Sequence, residues 1–89
     1  MTYAVLLHPK AAKELQVLEE PLRSRIRERL KELRSDPEKI GERLKYSGFW
    51  SLRVGDYSAI YEVSKERGQV TILFIGHRKN VYDGFSKLL

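Results

Sequence analysis

The chain has 89 residues, with 17 Lys and Arg against 12 Asp and Glu, a formal net charge of +5 and no cysteine. That length supports one domain with a single core. The missing thiols exclude disulfides, thiolate–zinc sites and cysteine nucleophiles. No apolar run approaches the roughly 18 to 20 residues of a membrane span, and no signal peptide is visible at the N-terminus. A cytoplasmic protein without a membrane partner is expected. The charge is uneven: residues 1–42 carry nine cations and eight anions, whereas residues 43–89 carry eight and four. The basic surplus in the second half makes a polyanionic partner plausible, either nucleic acid or an acidic protein.

Thr2 to Leu7 reads as a strand that ends at His8-Pro9, where Pro9 suits the first position of a helix. Ala11, Ala12, Leu15 and Leu18 recur at helical spacing. A second helix begins at Pro21 with the stripe Leu22, Ile26, Leu30 and Leu33, and Ser35-Asp36-Pro37 ends it. Its other faces carry Arg23, Arg25, Arg27, Arg29 and Lys31 with interspersed glutamates, several of opposite sign three or four residues apart. Such a helix could bind RNA, but the commoner role of this pattern is a solvated face.

From Gly48 the period becomes two, with Trp50, Leu52 and Val54 on one side and Ser51 and Arg53 on the other. Gly55-Asp56 forms a two-residue hairpin turn. Residues whose numbers sum to 111 then face each other, so Trp50 meets Tyr61, Leu52 meets Ala59 and Val54 meets Tyr57, while Arg53 meets Ser58 on the opposite side. A second hairpin over Lys65–Gln69 leads into the apolar run from Val70 to Ile75. After Gly76 comes His77-Arg78-Lys79, and Asn80 can cap a short helix carrying Tyr82 and Phe85. These elements predict an α+β domain over residues 1–89. A helical hairpin would cover one face of an antiparallel sheet in the order β-α-α-β-β-β, with a short C-terminal helix, leaving the other face open. Lys45, Arg53 and Arg78 would rim that open face.

The chain has no Gly-rich phosphate loop and no pair of histidines at metal-ligand spacing, so no cofactor or metal is expected. Arginine, lysine, tyrosine and histidine remain. Such a set can cleave RNA through attack of a 2′-hydroxyl on its adjacent phosphate, with cations stabilising the dianionic transition state. Arg53 and Arg78 stay protonated and act electrostatically. Tyr82 as the base needs its pKa lowered by about three units from about 10, roughly 4 kcal/mol. His77 offers an imidazole as a second candidate base, and a group outside the chain is a third source.

The segments YAVLLHPKAAKEL, RLKYSGFWSLRVGDYSAIYEV and ILFIGHRKNVYDGF together resemble the RelE/ParE toxin superfamily of type II toxin–antitoxin systems. The likeness is greatest to RelE-type messenger RNA interferases and runs nearly the whole chain. It implies a metal-independent toxin that enters the ribosomal A site and cuts messenger RNA there, with a RelB-like antitoxin as partner. It also implies catalytic roles for Arg53, Arg78 and Tyr82 and RNA contacts from Lys45, with His77 and Lys79 beside them. Two positions depart from that pattern. Ser51 stands where relatives often have lysine, and Ser58 where they usually have a catalytic arginine, which implies attenuated activity. The ParE branch, whose members lack the nuclease site and bind DNA gyrase, is the alternative. A basic nucleic-acid-binding domain without catalysis is a third reading.

Overall fold

A computed structural model describes residues 2–44 and 47–80. The elements in order are β1 (Ala4–Leu7), α1 (Pro9–Gln16), α2 (Leu22–Glu32), α3 (Pro37–Ile40), β2 (Glu42–Arg43), β3 (Phe49–Val54), β4 (Tyr57–Ser64) and β5 (Gln69–His77). Pro9 occupies the first turn of α1, and the His8 ring accepts from the Lys10 amide at its cap. The anticipated short helix after Asn80 lies outside the described residues, as do Lys45 and Tyr82. Among the described residues, no helix is long and apolar enough to cross a membrane.

The five strands form one sheet in the order β1-β5-β4-β3-β2. The meander β3-β4-β5 is antiparallel, and its first hairpin has the expected register: Trp50 opposite Tyr61, Leu52 opposite Ala59, Arg53 opposite Ser58 and Val54 opposite Tyr57. Gly55, with φ of +61°, supplies the turn conformation that L side chains disfavour. The sheet as a whole is mixed rather than purely antiparallel, because β1 pairs with β5 in parallel. The helices and the strands β2 to β4 that separate β1 from β5 in the chain supply the crossover that a parallel neighbour needs. Two small elements also go beyond the expected order. Pro37 opens α3 rather than merely closing α2, and Glu42–Arg43 pairs with Ser51 and Trp50 at the sheet edge.

The helices cover one face. Ala11 and Leu15 of α1 and Ile26, Leu30 and Leu33 of the α2 stripe pack on Leu52, Val54, Ala59, Tyr61, Val70, Ile72 and Ile75. Each large apolar side chain buried in this way contributes about 1.5 to 3 kcal/mol. On α2 three ion pairs run along the exposed surface, Arg23–Glu20, Arg29–Glu32 and Lys31–Glu28, as its mixed charge pattern predicts. The opposite sheet face is not open as expected. Ile60 and Phe74 are buried there with Leu44, Phe49 and Leu73 packed against them, and Ser51 and Ser58 are buried as well.

Tyr61 ties the connection after α2 to the sheet. Its ring is fully enclosed in the core, and its hydroxyl donates to the Pro37 carbonyl oxygen at 2.6 Å. Burial pushes this phenol up to about 12 from 10.0, against the opposing effect of the Gly41 backbone hydrogen bond. Gly41 lies so close that a Cβ there would run into the Tyr61 hydroxyl, with the Ser51 carbonyl oxygen 2.9 Å away. Gly41→Ala should therefore destabilise the protein by about 1 to 3 kcal/mol in denaturant titrations. Gly48→Ala, whose Cβ would meet nothing within 4 Å, should stay within about 0.5 kcal/mol of wild type. Because folding favours the neutral phenol, the stability Tyr61 adds is complete below pH of about 10. It should be lost as pH rises towards 12, and Tyr61→Phe should lack this component of the alkaline decline.

Candidate functional site on the meander

Strand register brings the candidate residues together at one end of the sheet. Arg53 on β3 faces Ser58 on β4, which in turn faces Gly76 on β5. Side chains on directly paired residues share a face, so these three positions form one row. With neighbouring strands about 4.8 Å apart, the row spans about 10 Å. Arg53 is exposed at its outer end. Gly76 contributes no side chain, and Ser58 only a hydroxymethyl group, so the row is narrow beside Arg53.

Gly76 reaches this row through an irregularity in β5. Tyr61 pairs with Ile72 and Ile60 with Phe74, which leaves Leu73 as a bulge. Without it, the alternation that puts Val70 and Ile72 in the helix-side core would put Phe74 and Gly76 there too. The bulge reverses the order, so Ile75 joins the core and Phe74 the opposite cluster. Just past the strand, the Arg78 amide donates to the Asp56 carbonyl oxygen at 2.7 Å. This bond continues the β4–β5 register into the hairpin turn and fixes the Arg78 backbone at the same sheet end as Arg53. Arg78 and Lys79 are both exposed.

His77 is placed differently from its expected role. It pairs with Tyr57, and the two rings meet edge to face with centroids 5.5 Å apart. Tyr57 packs on the helix-side core, so His77 lies across the sheet from the Arg53–Ser58–Gly76 row. Its Nδ1 accepts from the Lys79 amide at 3.2 Å and its carbonyl from the Asn80 amide at 2.8 Å, which shapes the turn bearing Arg78. Ser51 shares the Arg53 face but is only 8% exposed, so it offers little surface to RNA. Lys45 and Tyr82 lie outside the described residues.

Ser58 departs furthest from expectation. It is 1% exposed, and its Oγ has no hydrogen-bond partner among the described residues. An arginine at this position would not simply project from an open face beside Arg53. It would have to displace whatever encloses position 58, at a cost beyond the like-charge repulsion that pairing alone suggests.

Several further cations lie near the row. Lys10 at the start of α1 lies over the Phe74 ring, with Nζ 5.2 Å from its centroid, a cation–π contact on the Arg53 side of the sheet. Arg53 also borders a groove of about 480 Å³ along the β3 edge, together with Arg25 and Arg29 of α2. Helical charge spacing could mark Arg25 and Arg29 as neighbours, but only the packing of α2 on β3 brings them to Arg53. Among the described residues, no three His, Cys, Asp or Glu side chains converge as metal ligands.

The family model for the ParE toxin of type II toxin–antitoxin systems (parDE) matches residues 5–82. Among solved structures, the chain is 32% identical to that of an archaeal RelE–RelB complex from Pyrococcus horikoshii, with a TM-score of 0.74, covering 88% of this chain and 97% of that one. It is 27% identical to a chain of the toxin–antitoxin complex RelBE2 from Mycobacterium tuberculosis, with a TM-score of 0.78 and coverage of 88% and 100%. Against the chromosomal ParDE system of P. aeruginosa the values are 22%, 0.70, 85% and 96%, a likeness of fold. A search of curated proteins gives no match. The α+β fold with its basic meander end is thus that of a toxin from a type II toxin–antitoxin system. The chain belongs to the ParE toxin family of the RelE/ParE superfamily.

The lone Ser58 hydroxyl gives a direct test of the row's packing. Removing a buried, unpaired polar group relieves its desolvation penalty, which is about 1 to 3 kcal/mol. Ser58→Ala should accordingly keep or raise stability, by up to about 1 kcal/mol in denaturant titrations. A loss of more than about 1 kcal/mol would mean that the hydroxyl has a partner in solution.

Proposed function

We propose that this protein is a ribosome-dependent, metal-independent messenger RNA endoribonuclease of the RelE type, held in check by a cognate RelB-like antitoxin. The observation that carries this reading is the backbone bond from Arg78 to Asp56, which anchors one guanidinium-bearing residue at the sheet end where Arg53 stands. Arginine presents a planar fork of donors suited to phosphate oxygens. In the proposed reaction the 2′-hydroxyl attacks the adjacent phosphorus, and the leaving 5′-oxygen takes a proton as the bond breaks. Arg53 and Arg78 stabilise the charge that appears in the pentavalent transition state, where such donors contribute most. The position of His77 on the helix side of the sheet favours Tyr82, or a group of the ribosome, for proton removal. With serine at 58, one cation fewer faces the phosphate, and the rate is attenuated relative to a site with arginine there.

The partner assignment rests on the RelE–RelB complexes to which the chain is 32% and 27% similar by identity. The second reading is a ParE-like toxin that acts on DNA gyrase without cutting RNA. The enclosed, uncharged Ser58 in the middle of the row favours it, and so does the description of the family model. The 32% and 27% identity to toxin chains of two RelE–RelB-type complexes supports the nuclease.

Primer-extension mapping of cellular messengers after induction separates the two. Cuts at A-site codons are expected, whereas intact messengers with broken or relaxed DNA would establish the gyrase reading instead. In single-turnover cleavage on programmed ribosomes, Arg78→Ala should lower the rate by about 10² to 10³, equivalent to roughly 2.7 to 4 kcal/mol. The fold should be preserved, with stability within about 0.5 kcal/mol of wild type, because Arg78 is exposed and its anchoring bond uses only the backbone. An unchanged rate would remove Arg78 from the site.

A further inference from the structure

Glu14 of α1 makes a contact with β5 that the packing of apolar faces does not require. β1 ends at Leu7 opposite Ile72, and α1 begins at Pro9. β5 runs on to His77, so from Leu73 onward no strand lies on its β1 side among the described residues. A half-buried backbone amide left there without a partner would carry a desolvation cost. The Ile75 amide stands at this point, and it donates to Oε1 of Glu14 at 3.0 Å across 61 positions of sequence. Glu14 enters no ion pair among the described residues, although Lys10 and Lys13 share its helix.

This bond depends on the same irregularity as the Arg78–Asp56 bond, from the other side of the strand. Successive residues of a strand direct their backbone groups to alternate sides. Before the bulge the carbonyls of Gly68 and Ile72 accept from Ala4 and His8, so even-numbered residues face β1. Beyond Leu73 the parity is reversed: Ile75 faces outward to Glu14, and Arg78 faces inward to Asp56. Were the bulge undone, the Ile75 amide would turn towards β4 and the Arg78 amide away from the hairpin turn. Glu14 thus has its bond only in the bulged register. Lys10, one turn earlier on α1, favours the same register through Phe74, whose ring centroid lies 5.2 Å from Nζ on the face that the bulge assigns to it.

We propose that Glu14 is a positioning residue for the site: by holding the Ile75 amide it selects the bulged register of β5 and so keeps Arg78 at the hairpin turn beside Arg53. Apolar packing alone discriminates poorly here, because Leu73, Phe74 and Ile75 are all large and apolar and carry no period. A carboxylate aimed at one amide does discriminate between adjacent residues, since the neighbouring amides point the other way and cannot meet the geometry of a bond. Glu14 acts through the backbone of β5 and needs no contact with RNA. Its consequence for cleavage rests on the nuclease reading, whereas its choice of register does not.

The test uses the whole chain with Glu14→Ala, which removes the acceptor, and Glu14→Gln, which keeps an acceptor oxygen at the same reach. Amide exchange at Ile75 and Arg78 should quicken about tenfold in Glu14→Ala, while Val70 and Thr71 before the bulge exchange as in wild type. Glu14→Gln should restore the slow exchange. On programmed ribosomes the saturating single-turnover rate of Glu14→Ala should fall about tenfold, with the half-saturating concentration unchanged. Added to Arg78→Ala, the Glu14→Ala change should cost no further rate, because both act through one residue. If Glu14→Ala does not fold, Glu14→Asp, a methylene shorter, carries the same expectations. Uniformly faster exchange along β5 would make Glu14 a stabilising contact only and overturn the proposal, as would unchanged exchange at Ile75 and Arg78. An additive loss in the double variant would place the action of Glu14 elsewhere and overturn it too. If wild type cuts no messenger, the nuclease reading falls, and exchange at Ile75 and Arg78 still decides whether Glu14 selects the register.

Discussion

Because β4 is shared by both hairpins of the meander, its pairing on either side decides which side chains can act together. The two-residue turn at Gly55-Asp56 fixes β3 against β4, and the Leu73 bulge fixes β5 against β4. Between them these constraints set Arg53, Ser58 and Gly76 in one row and send Tyr57 and His77 to the other face. A one-residue slip at either hairpin would invert the facing of a whole strand. The helix-side core holds the register in place, since Leu52, Val54, Ala59, Tyr61 and Ile75 are all nearly fully buried there. Any slip would carry some of them out of the apolar layer.

The first hairpin was readable from sequence because both of its strands alternate cleanly and its turn carries the glycine that a positive φ requires. The same arithmetic located Arg53 opposite Ser58. The last strand could not be read in this way. Val70, Ile72, Leu73, Phe74 and Ile75 form a nearly unbroken apolar run, which has no period from which to infer facing, so neither the bulge nor the placement of His77 was visible. The parallel join of β1 to β5 was equally hidden, because a short apolar strand does not announce its neighbour. Burial of Ser51 and Ser58 escaped notice for a related reason. Serine reads as exposed by habit, and here its small size lets Ile60 and Phe74 form a second cluster nearby.

The arginines of α2 show how one pattern can serve two ends. Arg23, Arg29 and Lys31 are held by glutamates three residues away, which is the solvated-face behaviour that helical spacing predicts. Such exposed pairs contribute little stability, typically below 1 kcal/mol each. Arg25 lies towards the β3 groove, and Arg27 and Arg34 lie towards a groove beside β1. The helix therefore presents cations to both edges of the sheet it covers. The sequence contains all of these residues, but the division into two sides follows from the angle at which Ile26 and Leu30 seat α2 on the core.

The bulge at Leu73 works as a vernier between two parts of the chain whose lengths were set independently. In the lower half of the β4–β5 ladder paired residue numbers sum to 133, and beyond the bulge they sum to 134. That single added count is what brings Arg78, rather than His77, opposite the Asp56 carbonyl. The alignment of the strand end with the turn is thus a matter of counting rather than of any attraction between the residues concerned. A chain could exchange nearly every side chain in β5 and keep the alignment, whereas inserting or deleting one residue between Ile72 and Arg78 would misplace it.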